Sequence, residues 1–362
     1  MTSYATHRAA MDARGAVGAS FAPVSRHASA LQRYLVAEEH AGHLTTTGEG
    51  GPVDHPATEP VAADEGTGWR TDLVIAGLDG SALSRNVVEW AAAEAGRRQC
   101  ALRLVHTYTL PGTGHWGYDP IPDDLSTVLR ERGVALLANV ADTVRGADPA
   151  LDVSTLVSHG DAVTVLRRES EHARLTVVGA HGASRISGVL FGSVALALAS
   201  VNPAPVAVIG PGQLVNTAGP VVVGVDGSPN GDAALAFAFD EAALRHADLV
   251  AVHSWNDTIA DGAYSLQPAW LDPAAVEQQE SAVLAELLAG WQEKYPEVTV
   301  QQQLIHSRPA RALLEFSRTA QLVVVGSRGR GGLTGMLLGS TSQALITGSS
   351  SPVVIVGVDS LS

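Results

Sequence analysis

Leu73-Val74-Ile75-Ala76-Gly77-Leu78-Asp79-Gly80-Ser81 returns as Val221-Val222-Val223-Gly224-Val225-Asp226-Gly227-Ser228, with the two aspartates 147 residues apart. The same offset holds along the chain. Val105-His106 answers to Val252-His253, Gly179 to Gly326, Gly182 to Gly329, Gly192-Ser193 to Gly339-Ser340 and Pro205 to Pro352. A fixed register over that length is the mark of a duplicated module rather than of chance similarity. One copy is expected at 71–211 and the other at 219–358, joined by the Gly-, Pro- and Asn-bearing stretch Pro211 to Gly219.

Within each copy, short Val/Ile/Leu runs alternate with longer helical patterns, the signature of a parallel sheet covered on both faces. In the second copy the strands are expected at Val221 to Val225, Leu249 to His253, Val298 to Ile305, Leu322 to Gly326 and Val353 to Val356. Val276, Val283, Leu284, Leu287, Leu288 and Trp291 form one face of a helix between the second and third of these. Leu125, Val128, Leu129, Leu136, Leu137 and Val140 do the same in the first copy. The expected fold class is α/β, two doubly wound five-stranded parallel sheets, each with its loops gathering functional groups at the carboxyl ends of the strands. The closing strands, Pro205 to Ile209 and Pro352 to Val356, are short and apolar, and are expected to dock the copies on each other.

The whole chain has 362 residues and a formal charge of −14, with 37 acidic against 23 basic residues. Such a field repels polyphosphate backbones, so nucleic acid and anionic membrane are not expected partners. Residues 186–225 carry no charge, but Gly188, Gly192, Asn202, Pro203, Pro205 and Gly210 divide them into pieces too short to span a bilayer. They read as a buried helix followed by a strand. Cys100 is the only cysteine, which leaves no disulfide framework and no multi-cysteine metal site and fits a reducing cytoplasm. No apolar run follows the basic residues near the N-terminus, so a secretory signal is not expected. Residues 1–70 show no sustained period and are expected to form a flexible extension; its five histidines have no acidic or cysteine cluster to make a metal site.

The chemistry concentrates after the fourth strand. Leu322-Val323-Val324-Val325 runs into Gly326-Ser327-Arg328-Gly329-Arg330-Gly331-Gly332, and the next helix opens at Gly339-Ser340. Glycine permits positive φ and close approach of a ligand to main-chain N–H groups, and a helix N-terminus favours an anion. Phosphate is the guest that suits both; a tight turn relieved by glycine is the competing reading. A P-loop would need Gly-Lys followed by Ser or Thr, but Lys294, the single lysine, lies in a predicted helix. A dinucleotide fingerprint would need Gly-x-Gly-x-x-Gly after the first strand, and Gly77-Leu78-Asp79-Gly80 has another spacing.

Val-Asp-Gly-Ser closing a first strand, Val-Val-Gly-Ser-Arg-Gly-x9-Gly-Ser after a fourth, and a final Pro-Val-Val-Ile-Val strand together resemble the universal stress protein family. The duplication resembles its tandem members in actinobacteria. The resemblance implies strand order 3-2-1-4-5 in each module. It also implies one ATP site per module, with Mg2+ on the nucleotide. Gly77 and Asp79, with Gly224 and Asp226, match the adenosine end of that site. Gly179, Gly182, Gly192 and Ser193, with Gly326, Gly329, Gly339 and Ser340, match its phosphate positions. Between them stand Ala180, His181, Ala183, Ser184 and Arg185 in one copy and Ser327, Arg328, Arg330, Gly331 and Gly332 in the other. Asp79 has a second reading as a helix cap. His106 and His253 read more simply as satisfied sheet residues than as base contacts. Tyr108 and Trp255 suit either a purine face or a core cover.

No side chain in these loops pairs a base with a visible carboxylate, so no catalytic residue is expected. ATP pyrophosphatases of the same fold superfamily carry Ser-Gly-Gly-x-Asp-Ser after the first strand, unlike Leu-Asp-Gly-Ser or Val-Asp-Gly-Ser here, so adenylyl transfer is not expected. The expected function is therefore an ATP-binding, nucleotide-responsive stress regulator, the alternatives being a nucleotide-free interaction scaffold and a slow ATPase. A homo-oligomer is compatible with the apolar edges. With Arg328 and Arg330 before Gly331-Gly332, the second site is expected to bind ATP more tightly than the first.

Overall fold

The computed structural model describes residues 72–110, 124–181, 193–211, 213, 218–255, 273–329 and 338–357. The extension expected over residues 1–70 lies outside them. The first copy contains β1 (Leu73–Gly77), α1 (Ser84–Arg98), β2 (Ala101–Tyr108), α2 (Leu125–Ala147), β3 (Val153–His159), α3 (Ala162–Glu169), β4 (Leu175–Gly179), α4 (Ser193–Val201) and β5 (Val206–Ile209). The second repeats this as β6 (Val221–Val225), α5 (Pro229–Arg245), β7 (Leu249–Trp255), α6 (Pro273–Lys294), β8 (Val300–His306), α7 (Pro309–Phe316), β9 (Leu322–Gly326), α8 (Ser340–Gly348) and β10 (Val353–Val356). β7 runs two residues past its expected end and β8 one, because they pair with each other up to Trp255 and His306, and β8 begins at Val300 and not at the expected Val298, since the pairing starts there, opposite Leu249.

Each half has the order 3-2-1-4-5, but the two sheets are one. The full order is β3-β2-β1-β4-β5-β10-β9-β6-β7-β8, ten strands in all. Every pairing within a half is parallel, and β5 meets β10 antiparallel with Ala207 opposite Val354. The closing strands thus join the copies, as their apolar character led one to expect. Antiparallel joining turns the halves head to tail, so the carboxyl ends of β1 and β4 lie at the opposite margin of the sheet from those of β6 and β9.

Alternate residues of each central strand enter two cores. Val74 and Ala76 face a layer built from α1, α2, α5 and α6, and Leu73 and Ile75 face α3, α4, α7 and α8. Both cores run across the joint. Of the expected helix face in the second copy, Leu284 and Leu288 are fully buried, and each such side chain contributes roughly 1.5–3 kcal/mol. Both α1 and α5 stop at a left-handed residue, Gln99 with φ 52° and His246 with φ 50°. The next amides, of Cys100 and Ala247, reach back to the carbonyls of Ala95 and Ala242 at 3.0 Å.

Candidate functional site

In both copies the turn after the first strand is an Asx turn. Asp79 Oδ1 accepts from the Ser81 amide at 2.9 Å, and Asp226 Oδ1 accepts from the Ser228 amide at 3.0 Å. Gly80 and Gly227 follow the aspartates with φ 78° and 66°, a conformation that a side chain resists. The aspartates therefore shape the turn and do not cap the helix. In the second copy the cap is Ser228, whose Oγ accepts from the Gly231 amide at 3.1 Å. In the first, α1 starts two residues later in register, at Ser84, and has no side-chain cap.

Four of the described glycines, Gly77, Gly179, Gly224 and Gly326, are sites of close packing. A Cβ at Gly77 would come within 2.9 Å of Leu166, and one at Gly224 within 2.9 Å of Leu313, so both let a leucine of the helix after the third strand settle on the sheet. Gly179 lies against Leu83, and Gly326 against the backbone of Asn230. Gly329 brings the fourth-strand loop onto the first-strand loop. A Cβ there would stand 2.5 Å from Asp226 Oδ2. Its φ is not positive, so the demand at this position is for space and not for a left-handed backbone.

The α8 start is arranged by backbone. Gly339 is the N-cap, not Ser340, and its amide donates to Ser327 O at 2.8 Å, while Ser342 Oγ donates to Gly326 O at 2.8 Å. Ser340 and Ser193 are exposed at the first helical positions. With no side chain capping α8, its first N–H groups and the positive end of its dipole suit an anion. The expected residues Gly182, Ala183, Ser184, Arg185 and Gly192, and Arg330, Gly331 and Gly332, lie outside the described residues, and so does the loop contrast behind the expected difference in affinity.

His106 and His253 bond through Nδ1 to the carbonyls of Leu78 and Val225, each at 2.7 Å. A carbonyl can only accept, so Nδ1 carries the proton in both. They pin the first-strand turn to the second strand. His253 Nε2 also meets Glu280 Oε2 at 2.9 Å, and the residue in Glu280's place in the first copy is Gly133. Tyr108 packs at 5.4 Å from His159, and Trp255 stacks at 4.4 Å on His306, so each ring already has a neighbour on the third strand. The Ser307 backbone stays out of the left-handed region that Gly160 occupies with φ 136°, yet both amides bond to the end of the second strand, to Trp255 O at 3.1 Å and Tyr108 O at 3.0 Å.

Sequence reasoning passed over Ser84, Asn230 and Gly231. Ser84 Oγ donates to Asp79 Oδ1 at 3.0 Å, and Ser327 Oγ donates to Asn230 Oδ1 at 3.3 Å. Gly231 sits where a Cβ would be 2.4 Å from Asp226 Oδ1. The 147-residue register would have found the first and last, since Ser84 and Gly231 occupy equivalent places.

The family model described as "Universal stress protein family" matches residues 71–210 and again 218–357. A universal stress protein of Mycobacterium tuberculosis strain H37Rv is 38% identical over 288 residues, covering 78% of this chain and 96% of its own. A second from that strain is 36% identical over 300 residues, covering 79% of this chain and 95% of its own. Among solved structures, a universal stress protein from Archaeoglobus fulgidus superposes with a TM-score of 0.60 at 21% identity, covering 80% of this chain and 97% of its own, a likeness of fold.

Proposed function

The chain belongs to the universal stress protein family, with the family domain in tandem, and we propose that each copy binds ATP where its first and fourth strands end. The observation that carries this reading is the seating of Gly329 on Asp226. It sets the glycine-rich loop beside the Asx turn, so one ligand spanning both loops meets a carboxylate at its sugar end and free helix N–H groups at its phosphate end. Asp79 and Asp226 would hold the nucleoside; Gly179, Ala180, His181 and Ser193, and Gly326, Ser327, Arg328, Gly329, Gly339 and Ser340, would surround the phosphates. No group of three His, Cys, Asp or Glu side chains that could hold a metal occurs among the described residues, so Mg2+ would arrive on the phosphates.

Hydrolysis would need a base positioned on water at the terminal phosphate. His181 and Arg328 stand at the equivalent position, and neither has a described hydrogen bond to a carboxylate. Binding with a regulatory outcome in the cytoplasm is the function we infer. No helix among the described residues is long and apolar enough to cross a membrane. The packing roles of Gly77, Gly179, Gly224 and Gly326 favour a second reading, a nucleotide-free scaffold in which these glycines serve the fold alone.

The test is to denature the purified full chain, identify released nucleotide by anion-exchange chromatography, and titrate labelled ATP into wild type and Gly329→Val. Adenine nucleotide in the supernatant and loss of one of two sites in the variant are expected. Absence of nucleotide together with no ATP binding would leave the scaffold.

A further inference from the structure

The second module carries a groove of about 320 Å³ at the amino ends of β6, β7 and β8, the margin away from its own proposed nucleotide site. Asp248, Val250, Gln301 and Gln321 are among its lining residues. Val250 and Gln321 are buried and form the floor, whereas Asp248 and Gln301 are exposed at the rim. Val250 stands opposite Gln301 in the β7–β8 pairing, and Asp248, two residues before Val250, shares that face of the sheet.

The first module shows what this place holds when it is filled. At the 147-residue offset, Val250 answers to Arg103 and Gln321 to Arg174. Arg103 runs across the same face, its Nε donating to Ser154 Oγ at 3.4 Å and its Nη1 to Glu169 Oε2 at 3.0 Å. Arg174 pairs with Asp72. Two guanidinium groups thus occupy the margin, each with its own carboxylate. The second module has lost all four residues, with Val250, Gln321, Phe316 and Gly219 in their places. It has gained a carboxylate instead, because Asp248 stands where the first module has Ala101. That carboxylate accepts a long 3.3 Å bond from the Gln301 amide, and no arginine or lysine among the described residues pairs with it. Gln321 is already engaged, its Oε1 accepting from Arg245 Nη1 at 3.3 Å and its Nε2 donating to Gly219 O at 2.6 Å.

We propose that the groove binds an alkylguanidinium group supplied from outside the chain, which takes the place that Arg103 fills in the first module. The guanidinium donates to the Asp248 carboxylate and the Gln301 side-chain oxygen, and its methylene stem lies on Val250. Its planar fork of N–H donors suits two neighbouring acceptors better than an ammonium does. The volume is at the small end of ligand pockets, about 300–1,000 Å³, and suits one arginine-sized group. The formal charge of −14 favours the approach of a cation. A free arginine derivative and an arginine side chain of a partner protein share this chemistry. The site does not depend on the nucleotide reading.

The experiment titrates L-argininamide, and separately an acetylated and amidated Gly-Arg-Gly tripeptide, into the full chain at low salt, with the uncharged isostere L-citrullinamide as control. Saturable binding of a guanidinium probe with a raised melting temperature is expected, and none of the citrulline compound. Asp248→Ala, which installs the first module's residue, should weaken binding by about tenfold or more. Val250→Arg should abolish it by filling the groove from within, with the ligand-free melting temperature reporting that the variant folds. Saturation by argininamide identifies a free guanidine as sufficient, and saturation by the tripeptide alone identifies a partner's arginine. Unchanged affinity in Asp248→Ala, equal binding of citrullinamide, or no saturable binding of either guanidinium probe at millimolar concentration would overturn the proposal.

Discussion

Arg98 of the first module and Glu241 of the second are joined directly across the interface, their side chains 10% and 1% exposed. The reciprocal pair, Arg245 and Glu94, closes at 2.7 Å, and within each helix the same groups pair again, Arg98 with Glu94 and Arg245 with Glu241 at 2.7 Å. Residues 94 and 241, like 98 and 245, are related by the 147-residue offset, so α1 and α5 meet as a homodimer's helices would across a twofold axis. The aromatic surroundings repeat the symmetry. Arg98 lies over Phe237 and Arg245 over Trp90, at 5.4 and 5.7 Å from the ring centres, and Trp90 and Phe237 are again equivalent.

Removing one member of this quartet should cost far more than removing all four. Glu241→Ala leaves the buried guanidinium groups of Arg98 and Arg245 to share the single carboxylate of Glu94, an uncompensated buried charge that costs about 3–5 kcal/mol. Replacing Glu94, Arg98, Glu241 and Arg245 together by apolar residues of similar volume should be close to neutral, because desolvation of the ions disappears with their attraction. Urea denaturation of the two variants decides this, and equal losses would show that the quartet stabilises outright.

The same carboxylate gives acid sensitivity a definite window. Burial works against the charge on Glu241, but Arg245 and Arg98 outweigh it and hold the carboxyl down at about 2. An unfolded glutamate titrates near ~4.3, so the native state prefers the ionised form more strongly than the unfolded state does. That contribution is complete above ~4.3 and is lost as pH falls from there towards 2. Stability measured at stepped pH should fall more steeply in this window for wild type than for Glu241→Gln. Parallel curves would mean that Glu241 is not ionised in the fold.

Cys100 offers a simpler check on the packing behind α1. Its side chain is 8% exposed, and burial, with Asp72 adding to it, pushes the thiol up. Thiol reagents act on the thiolate, so the native protein should label far more slowly than the urea-unfolded chain. Rapid labelling under native conditions would show that the α1–β2 turn opens.

Much of this molecule was readable beforehand because duplication makes a sequence its own alignment. The repeated Asp-Gly-Ser, the apolar runs and the glycine spacing placed both sheets, and the apolar closing strands pointed to the β5–β10 joint. The quartet was not readable. Glu94, Arg98, Glu241 and Arg245 fall in the last turns of amphipathic helices, where charge ordinarily faces water, and only the antiparallel joint brings α1 onto α5. Nor does motif matching separate Ser81 from Ser228. They are the same residue in the same motif, and a hydroxyl three positions later decides their partners. At Gly329 the constraint is the Asp226 carboxylate and not a positive φ, and the glycine spacing alone does not show which of the two a loop glycine answers to.

Gly133 carries the last prediction, because two rules oppose each other at that position. It lies in the interior of α2, where alanine is favoured over glycine by about 0.8–1 kcal/mol. A Cβ at Gly133, however, would stand 2.7 Å from His106 Cδ2 and 2.9 Å from Val157 Cγ1. His106 cannot retreat without giving up its 2.7 Å bond to Leu78 O, which ties the Asx turn to β2. Overpacking of this kind costs about 1–3 kcal/mol and should exceed the gain in helix propensity. Gly133→Ala is therefore expected to destabilise the fold. Gly290→Ala, in α6 where an added Cβ meets nothing within 4 Å, should stabilise it by about 0.5–1 kcal/mol. Urea midpoints of the pair separate the two effects, and a stabilised Gly133→Ala would show that the His106 anchor yields.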